Sequence, residues 1–173
     1  ITHAHYDHWS PSDIRNLITE KTVVVAVNGC ENLNLPNNRF MLVTPDRIFT
    51  VAGIRVKTIP AYNVKPDRLN YHPKENKWVG YIFEIGDSKI YHAGDTDFIS
   101  EMKNLVDIDV AMLPVGGTFT MDVKEAIQAA NTINADVTIP MHYRRLLGDK
   151  AKAAEEEFKS GVEGKVVVMR ELS

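Results

Sequence analysis

His3, His5, Asp7 and His8 fall within the short segment His3-Ala4-His5-Tyr6-Asp7-His8, and that density of imidazole and carboxylate is the chemistry of metal binding. Packing alone does not explain it, because polar rings buried without partners cost stability. On an extended strand end His3 and His5 point to the same side, and the turn that starts a following helix can swing Asp7 and His8 towards a neighbouring point. One segment can thus serve two adjacent ions. Imidazole and carboxylate ligands suit Zn2+, with Mn, Fe or Ni as alternatives, and the lack of cysteine ligands argues against a closed structural zinc site. The competing reading is a solvated histidine-rich turn.

Two ions need more ligands than this segment supplies. Asp95 sits in a Gly94-Asp95-Thr96 turn directly after an expected strand, where an anionic oxygen can bridge two cations. His142 follows another expected strand in the same way. Taken singly, each reads as an ordinary turn or strand-end residue; beside the histidine cluster, both become candidate ligands.

The elements that must position these groups are legible in the apolar pattern. Ser10-Pro11-Ser12-Asp13 has the cap, the first-turn proline and the early acid of a helix start, predicting a short helix to about Thr19. Thr22 to Val27 predicts a buried strand, and Ile48 to Val51 with Ile54 to Ile59 a hairpin around Ala52-Gly53. Asn63 to Lys77, rich in proline, asparagine and charge, predicts a long surface loop of the kind that often carries function. Strands are expected at Val79 to Ile85, Lys89 to His92, Val110 to Val115, Val137 to Pro140 and Val166 to Met169. Helices are expected at Asp122 to Ile133 and Asp149 to Ser160.

The 173 residues, with 44% hydrophobic and 25% charged, fit a single globular domain over residues 1–173 and exclude a disordered or collagen-like chain. The apolar runs are far shorter than the roughly 20 residues a membrane-spanning helix needs. No basic-then-apolar leader opens the chain, so a soluble protein without a membrane partner is expected. One cysteine, Cys30, cannot form an internal disulfide, which makes cytoplasmic residence the simplest expectation. A formal charge of −3 offers no general attraction to nucleic acid.

Three motifs in order, His3-x-His5-x-Asp7-His8, Gly94-Asp95-Thr96 and Pro140-Met141-His142, resemble the metallo-β-lactamase superfamily. Ile59-Pro60-Ala61-Tyr62, Tyr91-His92-Ala93-Gly94-Asp95-Thr96 and Leu113-Pro114-Val115-Gly116-Gly117 further resemble its L-ascorbate-6-phosphate lactonase-like branch. The resemblance implies an α/β fold, a four-layer αββα sandwich, whose first strands would precede the histidine motif; a sequence beginning at Ile1-Thr2 lacks them, because it is an incomplete chain or because another segment or partner replaces them. An open sheet edge of that kind would invite homo-oligomers. It also implies that His3 and His5 bind a first Zn2+, that Asp7, His8 and His142 bind a second, and that Asp95 bridges them. A further histidine for the first ion is implied just after Tyr62. Asn63 stands there instead, leaving His72 in the long loop as the expected ligand, with a weak site or a filling water as alternatives.

Zinc lowers the pKa of a bound water to about 7, so a hydroxide between two ions is the expected nucleophile, with Asp7 to orient or deprotonate the water that gives it. His92 or Tyr143 would assist the leaving group; His92 could equally line the pocket or support Asp95. Lys65, Arg68, Lys74, Arg144 and Arg145 could surround a phosphorylated substrate with positive charge, or be solvated surface charge. Trp78, Tyr62 and Phe119 could form an apolar wall, or be core. The leading expectation is a Zn-dependent hydrolase of a small lactone, ester or phosphate compound. A phosphodiesterase or nuclease and a metal-binding module without catalysis are the alternatives.

Overall fold

The computed structural model describes residues 1–30, 33–36 and 39–170. A short helix, α1 (Pro11–Leu17), starts where the sequence places it: the Ser10 side chain accepts from the Asp13 backbone N–H at 3.5 Å and proline occupies the first turn. Strands β1 (Val24–Ala26) and β2 (Phe40–Leu42) then pair in parallel as a small sheet. β1 is shorter than the predicted Thr22 to Val27, and β2 lies in a stretch with no expected strand. Three residues carry too little periodicity to stand out.

The rest of the framework is one seven-stranded sheet. Its strands, in spatial as in chain order, are β3 (Ile48–Val51), β4 (Ile54–Pro60), β5 (Val79–Ile85), β6 (Ser88–His92), β7 (Val110–Pro114), β8 (Val137–Met141) and β9 (Lys165–Val166). From β3 to β6 neighbours are antiparallel, and from β6 to β9 they are parallel. As a result β4, β6, β7 and β8 all end at the same margin of the sheet. Residues that follow these strands are gathered there, although they are distant in sequence, which is where open α/β sheets bind ligands.

Alternation along the strands sends side chains to both faces, and each face has its own core. On one side Ile59, Ile82, Tyr91, Ala111 and Leu113 pack beneath α2 (Val123–Ile133) and α4 (Ala151–Gly161), with Phe158 fully buried. On the other, Val56, Val79 and Tyr81 meet Val24 and Ala26 of β1 and the half-buried Ile14 of α1. The layers therefore run from α1 through the small sheet and the large sheet to α2 and α4. Each fully buried large apolar side chain contributes roughly 1.5–3 kcal/mol.

Local chemistry sets the helix ends. Asp122 Oδ1 accepts from the Glu125 N–H at 2.9 Å to start α2, and Asn134 in the left-handed region stops it. Further details depart from expectation. A short helix, α3 (Arg144–Leu147), precedes α4, and β9 ends at Val166 rather than Met169. The Asn63 to Lys77 segment is not simply a surface loop, since Asn63, Arg68 and His72 are buried within it.

Candidate metal centre

The first candidate ligands are delivered by the chain just before α1. Thr2 O accepts from Val79 N–H at 3.1 Å, tying this segment to the start of β5, and His3 is 1% exposed. The turn that follows is closed by His8 N–H and Trp9 N–H donating to His5 O at 3.0 and 2.7 Å. It carries Asp7 and His8 back over the site. Trp78 backs the cluster, with its ring 5.2 Å from His3, 4.8 Å from His5 and 5.7 Å from His72.

Asp95 comes from the turn after β6. Gly94 precedes it with φ +68°, a backbone conformation suited to glycine, and a Cβ there would lie 3.0 Å from Val79 O. His92 Nδ1 accepts from Gly94 N–H at 3.1 Å, bracing the same turn. His142 follows β8 with φ 55°, the left-handed region that non-glycine residues seldom occupy outside turns and functional sites.

Asp95 Oδ2 is the point on which these groups converge. It lies 3.8 Å from His3 Nε2, 3.6 Å from His8 Nε2, 3.5 Å from His72 Nε2 and 3.3 Å from His142 Nε2. On one side the ligand atoms of His3, His5 and His72 lie within 4.8 Å of one another; on the other, those of Asp7, His8 and His142 do. Asp7 Oδ2 is 3.6 Å from His8 Nε2 and 3.7 Å from His142 Nε2. The expected ligands thus meet in two triads around one shared carboxylate, and the distant His72 stands in the first.

The donor set fits divalent cations. His3 Nε2, His72 Nε2 and Asp95 Oδ1 are buried without a hydrogen-bond partner, a costly arrangement that a bound cation would repay. Burial pushes the His3 pKa down to about 2, so the ring is neutral at physiological pH, the form that can bind a metal. Burial lowers those of His5 and His8 as well.

Other expected site residues are placed differently. His92 belongs to neither triad; with His8 it borders an apolar cavity of about 570 Å³ on the β1 side of the sheet. Tyr143 donates its hydroxyl to Glu155 at 2.5 Å, and burial pushes its pKa up to about 12, so that proton is already committed. Lys65 pairs with Glu125 at 2.8 Å, Lys74 with Glu101 at 3.4 Å, and Arg68 is buried against Asp97 and Glu125. These three cations serve the fold. Arg144, Arg145 and Arg170 line a cavity of about 650 Å³ whose other wall includes Asp7, His8 and His142, and of the three Arg144 is tied to Glu155 at 3.2 Å. Of the expected aromatic wall, only Trp78 touches the histidines; Tyr62 bonds Glu101, and Phe119 packs on Tyr71.

In the sequence Asn63 reads as a gap in the ligand set, and nothing there marks Asp97. Asn63 Oδ1 is in fact 2.8 Å from His72 Nδ1, and Asn63 Nδ2 donates to Asp97 Oδ1 at 2.9 Å. No spacing rule links these three positions, so only their meeting in space reveals them.

Layering, shared carboxylate and flanking triads define a metal-dependent hydrolase fold of the metallo-β-lactamase type. Comparison with known proteins agrees: the family described as the Beta-lactamase superfamily domain matches residues 1–142. A UPF0173 metal-dependent hydrolase of Thermoplasma acidophilum is 32% identical over 177 residues, covering 99% of this chain and 76% of that protein. This chain belongs to the UPF0173 metal-dependent hydrolase family of the metallo-β-lactamase superfamily. Among solved structures, a protein assigned as a metal-dependent hydrolase from Parabacteroides distasonis superposes with a TM-score of 0.83 at 34% identity, over 100% of this chain and 75% of that one. A Thermotoga maritima protein assigned as a Zn-dependent hydrolase of the superfamily gives 0.57 at 26% identity, over 84% and 82%. No helix among the described residues is long and apolar enough to cross a membrane.

Proposed function

We propose that this chain is a dinuclear zinc hydrolase of a small anionic lactone, ester or phosphate compound, as its lactonase-like motifs suggest. One observation carries the reading: Asp95 Oδ2 lies between a His3, His5 and His72 triad and an Asp7, His8 and His142 triad. Zinc held there supplies a Lewis acid and an activated water at neutral pH.

The chain's own residues do the rest. Asp7, about half exposed at the cavity wall, orients the attacking water and accepts its proton. His8 and His142 stack with ring centroids 5.1 Å apart and keep that wall rigid. His92 acts through the Gly94 turn, holding Asp95 in place rather than touching substrate. Arg145 and Arg170, the cations of the cavity with no carboxylate partner among the described residues, give the substrate's phosphate or carboxylate a planar, charge-assisted grip. The capture of Lys65, Arg68 and Lys74 by acidic partners argues against the broad basic groove a nuclease needs. The reduced, buried Cys30 suits a cytoplasmic enzyme.

The test is hydrolysis of phosphorylated and neutral lactones and esters by the zinc-loaded protein. Asp95→Ala should lose at least about 100-fold in kcat/KM, beyond the 10–100-fold typical of residues that merely support ligands. Arg145→Ala should raise KM for anionic substrates only. Turnover unaffected by Asp95→Ala would refute the reading.

A further inference from the structure

Asn63 occupies the position that interrupts the ligand pattern, and its hydrogen bonds give it a specific task. Its carboxamide has only one workable orientation. The backbone N–H of His72 can only donate, and it points at Asn63 Oδ1 from 3.0 Å. The opposite end faces groups that only accept, Asp97 Oδ1 at 2.9 Å and Phe119 O at 3.0 Å. Oδ1 is therefore the carbonyl oxygen. Because His72 Nδ1 lies 2.8 Å from that oxygen, the ring must carry its proton on Nδ1. In the neutral ring Nε2 then carries the lone pair; it is buried without a hydrogen-bond partner, 3.5 Å from the Asp95 carboxylate.

We propose that Asn63, locked by Asp97, is a positioning residue that fixes the Nδ1–H tautomer of His72 and so completes the first metal triad. Asp97, 0% exposed, is itself fully engaged: it accepts from Asn63 Nδ2, from Val64 N–H at 2.7 Å and from Lys65 N–H at 3.0 Å, and pairs with Arg68 Nε at 2.6 Å. Arg68 in turn pairs with Glu125, whose other oxygen accepts from Phe98 N–H at 3.2 Å. A rigid buried chain thus runs from α2 to the ring of His72, the kind of support that orients metal-binding histidines. The assignment rests on the two-triad reading of the site.

Ring-nitrogen NMR of the metal-free protein, with His72→Gln to assign the signals, reads the tautomer without relying on activity. Wild type should show His72 protonated at Nδ1, and Asn63→Ala should lose that single form. In a Co2+ titration followed by visible absorption, Asn63→Ala should bind its first-site ion 10–100-fold more weakly. Binding by Asp7, His8 and His142 should be unchanged. If Asn63→Ala does not fold, Asp97→Asn supplies the variant, with a weaker effect of the same kind. An Nε2–H tautomer in wild type, or unchanged first-site affinity in a folded Asn63→Ala, would overturn the proposal. Correct tautomer and metal affinities without turnover would support it while refuting the hydrolase reading.

Discussion

Gly116 and His142 approach so closely that a methyl group on Gly116 would overlap the His142 carbonyl oxygen and stand 2.6 Å from Leu146 Cδ1. The loop after β7 therefore presses on the one candidate ligand held in a left-handed backbone conformation. Gly116→Ala should force His142 to move. We expect a loss of about 1–3 kcal/mol from overpacking, measured by urea unfolding, together with weaker binding at the Asp7, His8 and His142 triad. Wild-type metal affinity in this variant would show that the contact does not govern the site.

The buried histidines make the metal-free protein sensitive to mild acid. The folded-state pKa of His3 is about 2, and those of His5, His8 and His92 are also lowered by burial, against an ordinary value of 6.5. Below 6.5 the unfolded chain binds protons that the folded chain refuses, so stability is fully present above that value and drains away as pH falls towards 2. The urea midpoint should drop between about pH 7.5 and about pH 5.5, a window in which ordinary carboxylates do not titrate. A flat profile would contradict the assigned burial, and His3→Gln should reduce the slope.

Arg68 joins Asp97 and Glu125 inside the protein, with 4% of its surface exposed. Arg68→Ala leaves two buried carboxylates without their shared cation. The expected cost is about 3–5 kcal/mol, read as a shift in denaturation midpoint. A loss below about 1 kcal/mol, the scale of a surface pair, would show that water replaces the guanidinium.

Metal should stabilise the fold because the triads exist only when the chain is folded. Free zinc at about 100 times its Kd should add about 2.7 kcal/mol per site and raise Tm in a concentration-dependent way. Chelation should reverse the gain. Asp95→Ala, which removes the carboxylate facing both triads, should blunt it. An unchanged Tm on adding zinc would count against the centre.

Sequence alone was sufficient wherever the information is local. The His3 to His8 cluster, the caps at Ser10 and Asp122, the Ala52-Gly53 hairpin and the strands carrying Asp95 and His142 are set by neighbouring residues, whose spacing records secondary structure directly. Tertiary structure decided what depends on strands ending at a common margin. It brought His72 out of an apparent surface loop to the His3 and His5 side, and turned Asn63 from a missing ligand into the partner of its ring. It drew Lys65, Arg68 and Lys74 into ion pairs while leaving Arg145 beside the site. Charge and polarity are visible in a sequence, but whether a polar group meets solvent, a counter-ion or a metal is set by what packs against it, and those neighbours come from distant segments.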